Sequence, residues 1–127
     1  VGFKQALQQA DVLSLHCPLT NNTHELLNAE RLSWLKDGAI IINTARGGLI
    51  NETALLAELT RGRLAAGLDV LSSEPPATDH VLLQRPLPNL VVTPHIGWAS
   101  SEARSRMTKQ LVDNIQAFIA GKPLRQL

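Results

Sequence analysis

The amino-acid sequence predicts an α/β protein built on a parallel sheet with flanking helices. Four short apolar runs, typical of buried strands, occur at residues 12–15, 39–42, 65–70 and 90–92. Segments with the apolar spacing of helices separate most of these runs. Strands that are apolar on both sides and alternate with helices favour parallel pairing through right-handed crossovers.

The predicted helices have recognisable ends. A first helix is expected at residues 3–10, directly before the first strand. Asn28 can cap a helix that continues through Lys36, and Asn51 can cap a helix over residues 52–61 that Gly62 ends. A final helix is expected over residues 100–120, because apolar residues recur there at helical spacing and Gly121 follows.

Composition narrows the class of protein. The chain has 127 residues, 44% of them hydrophobic and 18% charged, which is typical of one folded domain with an apolar core. Its net charge is +1 and its basic residues are scattered, so nucleic acid is not expected as a partner. The single cysteine, Cys17, excludes an intrachain disulfide and favours a reducing compartment such as the cytoplasm. No apolar run approaches the length that crosses a bilayer.

Side chains that can carry chemistry follow every predicted strand. In an open α/β sheet, ligands bind outside the carboxyl ends of the strands. The segments at those ends are residues 16–20, 43–48, 69–76 and 93–98. Among their side chains, Arg46, Asp69, Glu74 and His95 are the ones expected to converge on a single edge and to act together.

This set of side chains fits the reduction of a 2-keto acid. The planar guanidinium of Arg46 can anchor a carboxylate. His95 can protonate the carbonyl oxygen, and Glu74 can orient the ring and favour its protonated form. The hydride has to come from a cofactor, because no side chain supplies one, and a nicotinamide fits this edge.

Each of these residues taken alone has a simpler explanation. Arg46 can lie in a surface turn formed with the two glycines that follow it. His95 and Glu74 can be ordinary loop residues whose polar atoms are satisfied locally. Asp69 is harder to explain in this way, because a carboxylate within an apolar strand must find a hydrogen-bond donor.

The remaining histidines and the cysteine are assigned no chemistry. His16, His24 and His80 do not have the spacing of metal ligands, so structural or solvent-exposed roles are expected and no metal site is predicted. Cys17 is expected to be a small apolar filler near the end of the first strand.

Four motifs occur in one order along the chain. They are LHCPLT at residues 15–20, INTARGG at 42–48, GLDV at 67–70 with Glu74-Pro75, and TPHIG at 93–97. Together they strongly resemble the D-2-hydroxyacid dehydrogenase family over essentially the whole chain. The resemblance implies a Rossmann-like half-domain, with residues 1–127 as the C-terminal part of the NAD(P)-binding domain. Trp98, residues 99–100 and residues 102–104 resemble the glycerate dehydrogenase or hydroxypyruvate reductase branch, which implies hydroxypyruvate or glyoxylate as substrate.

The resemblance also implies roles for individual residues. Arg46 would bind the substrate, and Glu74 and His95 would form the acid/base pair. NAD or NADP, with NAD preferred, would be contacted by Cys17, Pro18, Thr23, Thr44, Ala45, Arg46, Asp69, His95 and Gly97. Cys17 and Pro18 would lie at the adenosine end and Thr23 near the phosphates.

Other features depart from the family pattern. Three features of the family are not among these residues. They are the glycine-rich phosphate loop, the flanking substrate domain and the helices that form a dimer. We therefore expect the chain to be part of a larger enzyme that is a homodimer. The alternatives are an NAD(H)-sensing module similar to the C-terminal binding protein corepressors, or an inactive fragment with an exposed sheet edge. A formate dehydrogenase is disfavoured, because Glu74 stands where that branch has glutamine.

Overall fold

A four-stranded parallel sheet, as predicted, organises the fold. The structure is a computed structural model that describes residues 1–125 of the chain. The strands follow sequence order across the sheet, so each strand pairs with the next one along the chain. They are β1 Val12–Leu15, β2 Ile40–Asn43, β3 Ala65–Leu68 and β4 Leu90–Val92.

Helices connect and flank the strands. Within residues 1–125 these are α1 Phe3–Gln9, α2 Ala29–Ser33, α3 Glu52–Thr60 and α4 Ser101–Ile119, with a short 3₁₀ helix at Gly47–Leu49. The predicted caps are confirmed. The side chain of Asn28 accepts a hydrogen bond from the amide of Arg31 at 3.0 Å, and that of Asn51 accepts one from the amide of Ala54 at 2.8 Å. Each cap satisfies an amide that has no partner within its own helix.

Two elements, α2 and β3, end at least two residues earlier than predicted. Helix α2 stops at Ser33 because the amides of Trp34 and Leu35 bond the carbonyls three residues before them, each at 3.2 Å, which closes the helix. Strand β3 stops at Leu68, since its partner β4 is only three residues long. The amide of Asp69 still donates to the carbonyl of Asn43 at 2.9 Å, so the β2 side of the ladder continues by one bond.

The two faces of the sheet differ in burial. On one face, Ile41 and Leu68 belong to the hydrophobic core. On the other face, Val12, Ile40 and Val91 are 60%, 40% and 65% exposed. Right-handed crossovers between strands in consecutive order place the connecting helices on one side of a sheet, and α2 and α3 contact each other. The expectation of strands buried on both sides is therefore wrong for one face.

The chain divides into two compact units, Val1–His95 and Ile96–Leu127. The first unit contains the sheet and the core, in which Leu32, Ile41 and Leu55 are fully buried. The second contains α4, which has no buried residue.

No helix in the described part of the chain has both the length and the apolar character needed to cross a membrane. The apolar side chains of α4 that are more than half exposed are Met107, Leu111, Ile115, Phe118 and Ile119.

Arg63 ties the end of α2 to α3. Its Nε donates to the carboxylate of Glu58 at 2.5 Å, and its Nη1 and Nη2 donate to the carbonyls of Leu35 and Leu32 at 2.7 and 2.6 Å. Glu58 is only 8% exposed, so its carboxylate needs hydrogen-bond donors that replace the water it has lost. One guanidinium thus stabilises a buried carboxylate and the carbonyls at the end of a helix.

We expect Arg63→Ala to lower the free energy of unfolding by about 3 kcal/mol, because it leaves Glu58 shielded from water with one arginine contact fewer. Denaturant unfolding of the chain measures this. The matched control is Lys36→Ala, which removes the pair with Asp11, whose side chain is 85% exposed. Exposed pairs contribute at most about 1 kcal/mol. Equal losses in the two variants would contradict the role given to Arg63.

Candidate active site

A groove of about 770 Å³ lies at the carboxyl ends of β1 and β2. Its walls come from the segments that directly follow the two strands, which parallel pairing places side by side. It contains five of the predicted cofactor contacts, one of which, Arg46, is also the predicted substrate anchor. The residues that line it are His16, Cys17, Pro18, Leu19, Thr44, Ala45 and Arg46.

A second pocket, of about 390 Å³, lies at the carboxyl ends of β3 and β4. The predicted acid/base pair and the buried acid Asp69 both line it, surrounded by apolar and proline side chains. Glu74 and His95 are therefore brought to one cavity at the carboxyl edge of the parallel sheet. The lining residues are Asp69, Leu71, Glu74, Pro75, Pro76, Leu83, Val92, Thr93, Pro94 and His95.

Glu74 and His95 are in direct contact. The Nδ1 atom of His95 lies 2.7 Å from Oε2 of Glu74, and Oε1 of the same carboxylate accepts the amide of Leu71 at 2.9 Å. The side chain of His95 is 45% exposed and that of Glu74 is 35% exposed, so a ligand can reach both from solvent. The carboxylate is held from two sides and in turn fixes the orientation of the ring.

These contacts hold the pKa of Glu74 below the ordinary value for a glutamate. The hydrogen bond from His95 is the largest cause, and the bond from the Leu71 amide is the next. Burial and the charge of Asp69 act in the opposite direction, while a positive charge on His95 adds to the lowering. Glu74 is therefore ionised at neutral pH and accepts both hydrogen bonds as a carboxylate.

A tight turn after β4 presents His95. Its backbone lies in the left-handed region, with φ of +55°, a conformation that histidine adopts more readily than β-branched residues do. The amide of His95 donates to the carbonyl of Thr93 at 3.0 Å. This turn brings the imidazole to a carboxylate 21 residues earlier in the chain.

Asn43 shapes the turn that presents Arg46. It is 1% exposed, and its side chain accepts the amide of Ala45 at 3.0 Å and donates to the carbonyl of Arg46 at 2.9 Å. Arg46 is exposed, and its Nη1 donates to the carbonyl of Ala45 at 2.6 Å. Within residues 1–125 no carboxylate forms an ion pair with this guanidinium. Its charge can therefore serve a bound carboxylate.

The donor that Asp69 requires comes from Thr93. The hydroxyl of Thr93 lies 2.5 Å from Oδ1 of Asp69, which is 7% exposed. A charge-assisted bond of this kind compensates for removing a carboxylate from water. The expectation that this acid must find a donor is confirmed, while its contact with a cofactor stays a prediction.

Gly47 lies directly against the peptide that joins Leu71 to Ser72. A Cβ atom at Gly47 would stand 1.9 Å from the carbonyl carbon of Leu71 and 2.3 Å from the amide nitrogen of Ser72. No side chain fits in that space, so only glycine allows the two loops to approach. This contact couples the loop of Arg46 to the loop of Glu74.

Two predicted cofactor contacts lie outside both pockets. The hydroxyl of Thr23 donates to the carbonyl of Pro18 at 2.7 Å and accepts the amide of Thr20 at 2.7 Å, so it stabilises the turn after β1. Its predicted place near phosphates stays a prediction. Gly97 belongs to the second unit of the chain, and its predicted role likewise stays a prediction.

Sequence reasoning missed several side chains that support the site. Asn43 was noted only as part of a motif, although its burial within a polar turn makes it the main organiser of the loop that carries Arg46. His80 was assigned a structural or solvent-exposed role, and it contacts Glu52 at 3.1 Å.

Among residues 1–125, no group of three or more histidine, cysteine, aspartate or glutamate side chains is arranged to hold a metal ion.

We expect Gly47→Ala to destabilise the chain by about 1–3 kcal/mol, the usual cost of forcing an extra group into a packed interior. The adjacent Gly48→Ala is the matched control. Its added Cβ would meet only the end of the Leu19 side chain, at 3.0 Å, and that side chain is 43% exposed and can move. Denaturant unfolding compares the two variants, and a loss for Gly48→Ala as large as that for Gly47→Ala would contradict this account.

The pKa of Glu74 should rise when the imidazole is removed, because the largest cause of its lowering is lost. We expect this in His95→Asn, since asparagine tolerates the positive φ at this position. A carboxyl group whose pKa is lower in the folded state than in the unfolded state stabilises the fold at pH values above its unfolded-state pKa. This stabilisation is lost as the pH falls through the folded-state pKa. Carboxyl NMR titration measures the rise in the pKa of Glu74. As the pH falls from the unfolded-state pKa through the folded-state pKa, the variant should also lose less free energy of unfolding than the parent. A Glu74 pKa that does not move would exclude the pairing in solution.

Known proteins share both the sequence and the fold of this chain. A family model described as "D-isomer specific 2-hydroxyacid dehydrogenase, NAD binding domain" matches residues 1–97. Glycerate dehydrogenase of Methylorubrum extorquens is 51% identical over 124 residues, which are 97% of this chain and 40% of that protein. Hydroxypyruvate reductase of Blautia hydrogenotrophica is 43% identical over 98% of this chain and 38% of its own length.

A solved structure of a 2-hydroxyacid dehydrogenase is similar to this chain in both fold and sequence. D-lactate dehydrogenase from Aquifex aeolicus, complexed with NAD and lactic acid, matches with a TM-score of 0.82 and 34% identity, over 96% of this chain and 41% of that one. The chain thus spans about two fifths of the length of the relatives it matches. The family model, the sequence identities and the shared fold together show that this chain belongs to the D-isomer specific 2-hydroxyacid dehydrogenase family, in the region of the NAD binding domain.

Proposed function

We propose that this chain provides the acid/base pair and the substrate anchor of an oxidoreductase that interconverts a small 2-keto acid and its D-2-hydroxy acid with NAD or NADP. The observation that carries the proposal is the 2.7 Å contact between Glu74 and His95 at the rim of a pocket open to solvent. An ionised carboxylate beside an accessible imidazole is the arrangement of a general acid/base.

His95 exchanges the proton in this proposal. Its Nδ1 is engaged by Glu74, so proton transfer to the carbonyl oxygen of the substrate falls to Nε2. Glu74 keeps the ring oriented and stabilises it in the charged form, and the bond from the Leu71 amide keeps the carboxylate itself in place. In the direction of oxidation the same nitrogen accepts the hydroxyl proton.

Arg46 binds the carboxylate of the substrate. Its guanidinium presents a planar set of donors, remains charged at every physiological pH and polarises a neighbouring carbonyl group. The extended backbone at Arg46, with φ of −148°, and the buried amide of Asn43 fix the loop from which this side chain projects. A 2-keto acid bound through its carboxylate would then offer its carbonyl to His95.

The groove after β1 and β2 fits a nicotinamide cofactor. Cys17, Pro18, Thr44 and Ala45 line it with short, uncharged side chains, so flat rings can approach the backbone at the carboxyl edge. These residues, with Asp69 at the neighbouring strand end, are the ones that would hold the cofactor. When bound, a nicotinamide cofactor supplies or accepts the hydride.

The proposed substrates are hydroxypyruvate and glyoxylate. Two relatives bear the names glycerate dehydrogenase and hydroxypyruvate reductase, and this chain resembles them over nearly its entire length. We further propose that residues 1–127 form the C-terminal part of the NAD(P)-binding domain, which is supported by the family model over residues 1–97.

In the full-length protein, His95→Asn should lower kcat for hydroxypyruvate reduction by about 10²- to 10⁴-fold, because a positioned acid contributes a factor of this size. Consumption of NADH or NADPH measures the rate. His24→Ala is the matched control, since His24 is exposed and lines neither pocket, and it should retain the parent rate.

The result that would overturn the proposal is an unchanged kcat in His95→Asn. A parent protein that binds the dinucleotide tightly but does not turn over hydroxypyruvate or glyoxylate would instead favour a nucleotide-sensing module. A chain that neither binds cofactor nor supports turnover would favour an inactive fragment.

A further inference from the structure

The segment that carries Glu74 has neither helix nor strand to hold it. Residues 71–80 follow β3 without regular secondary structure. Pro75 and Pro76 have no amide hydrogen, so they cannot donate backbone hydrogen bonds. Other contacts must therefore keep this segment in place.

Glu52, in the first turn of α3, makes such contacts. Its Oε1 accepts the amide of Ser72 at 2.8 Å, and its Oε2 accepts the hydroxyl of the same residue at 2.5 Å. The side chain of Glu52 is only 10% exposed. An ionised acceptor forms stronger hydrogen bonds than a neutral one, so the largely buried carboxylate holds the exposed Ser72 by two such bonds.

The same carboxylate also binds the far end of the segment. Nε2 of His80 lies 3.1 Å from Oε2 of Glu52, and the His80 side chain is 8% exposed. Its Nδ1 accepts the amide of Leu82 at 3.4 Å, which fits a ring whose hydrogen is on Nε2 and points to the carboxylate. Glu52 therefore contacts the segment at Ser72 and again at His80.

The contact at Ser72 leads directly to the acid/base pair. The amide of Ser72 donates to Glu52, and the amide of the preceding residue, Leu71, donates to Glu74. The peptide that joins Leu71 to Ser72 is also the one against which Gly47 is packed. A displacement of Ser72 would therefore move the donor that fixes the Glu74 carboxylate.

We propose that Glu52 is a positioning residue, which holds Ser72 and His80 so that the Glu74 carboxylate stays against the imidazole of His95. This role deepens the proposed function and rests on it. In the described hydrogen bonds and ion pairs, Glu52 bonds Ser72 and His80 and acts on the pair from a distance. Its effect on the pair is transmitted through the backbone of Leu71 and Ser72.

The test is the pKa of Glu74 in Glu52→Ala, followed by carboxyl NMR in the 127-residue chain. If the segment loosens, the bonds from His95 and Leu71 weaken and the pKa of Glu74 rises. Loss of the negative charge of Glu52 by itself would act in the opposite direction. A rise therefore identifies positioning rather than a direct electrostatic effect.

The matched control is Glu58→Ala, at the other end of the same helix. Glu58 pairs with Arg61 and Arg63 and contacts no residue of the 71–80 segment in the described ion pairs and hydrogen bonds. Its loss should lower the stability of the chain but leave the pKa of Glu74 unchanged. A general loss of stability is thus separated from loss of positioning.

If Glu52→Ala does not fold, Glu52→Gln is measured instead. Glutamine keeps one acceptor for the Ser72 amide but has no second oxygen for the hydroxyl and the imidazole, so a smaller rise is expected. An unchanged or lowered pKa of Glu74 in a folded variant would overturn the inference. Because this titration needs no turnover, an absence of enzymatic activity would count against the proposed function and leave the positioning result intact.

Discussion

Parallel pairing of four consecutive strands is the constraint on which the site depends. Because all four strands run in the same direction, the segments that follow them emerge at one edge of the sheet. Arg46 follows β2, Glu74 lies beyond β3 and His95 follows β4. Residues that are far apart in sequence are therefore gathered because the strands that precede them pair side by side.

The environment gives two acids of this edge different properties. Asp69 is buried and receives a hydroxyl from Thr93, whereas Glu74 is partly exposed and receives an imidazole and a backbone amide. The bond from Thr93 compensates Asp69 for its removal from water, whereas the bonds from His95 and Leu71 lower the pKa of Glu74. The same functional group can therefore serve for structure at one position and for chemistry at another.

The sequence predicted what depends on local patterns. Apolar runs located the strands to within a residue or two, and the asparagines before α2 and α3 predicted their caps, because both signals act over a few neighbouring residues. The contact of Glu52 with His80 spans 28 positions and has no local signature. His80 was accordingly assigned a structural or solvent role without a partner, since its partner is known only once the loop is folded against α3.

The two adjacent glycines after Arg46 are under different constraints. At Gly47 the obstacle is the backbone of another loop, which cannot give way without moving Glu74. At Gly48 the obstacle is the Leu19 side chain, which also lines the groove beside Arg46. Variation at Gly48 would thus reshape the groove through Leu19 without displacing the loop that carries Glu74. Position 48 is therefore open to evolutionary or engineered change in ligand preference, and position 47 is closed to it.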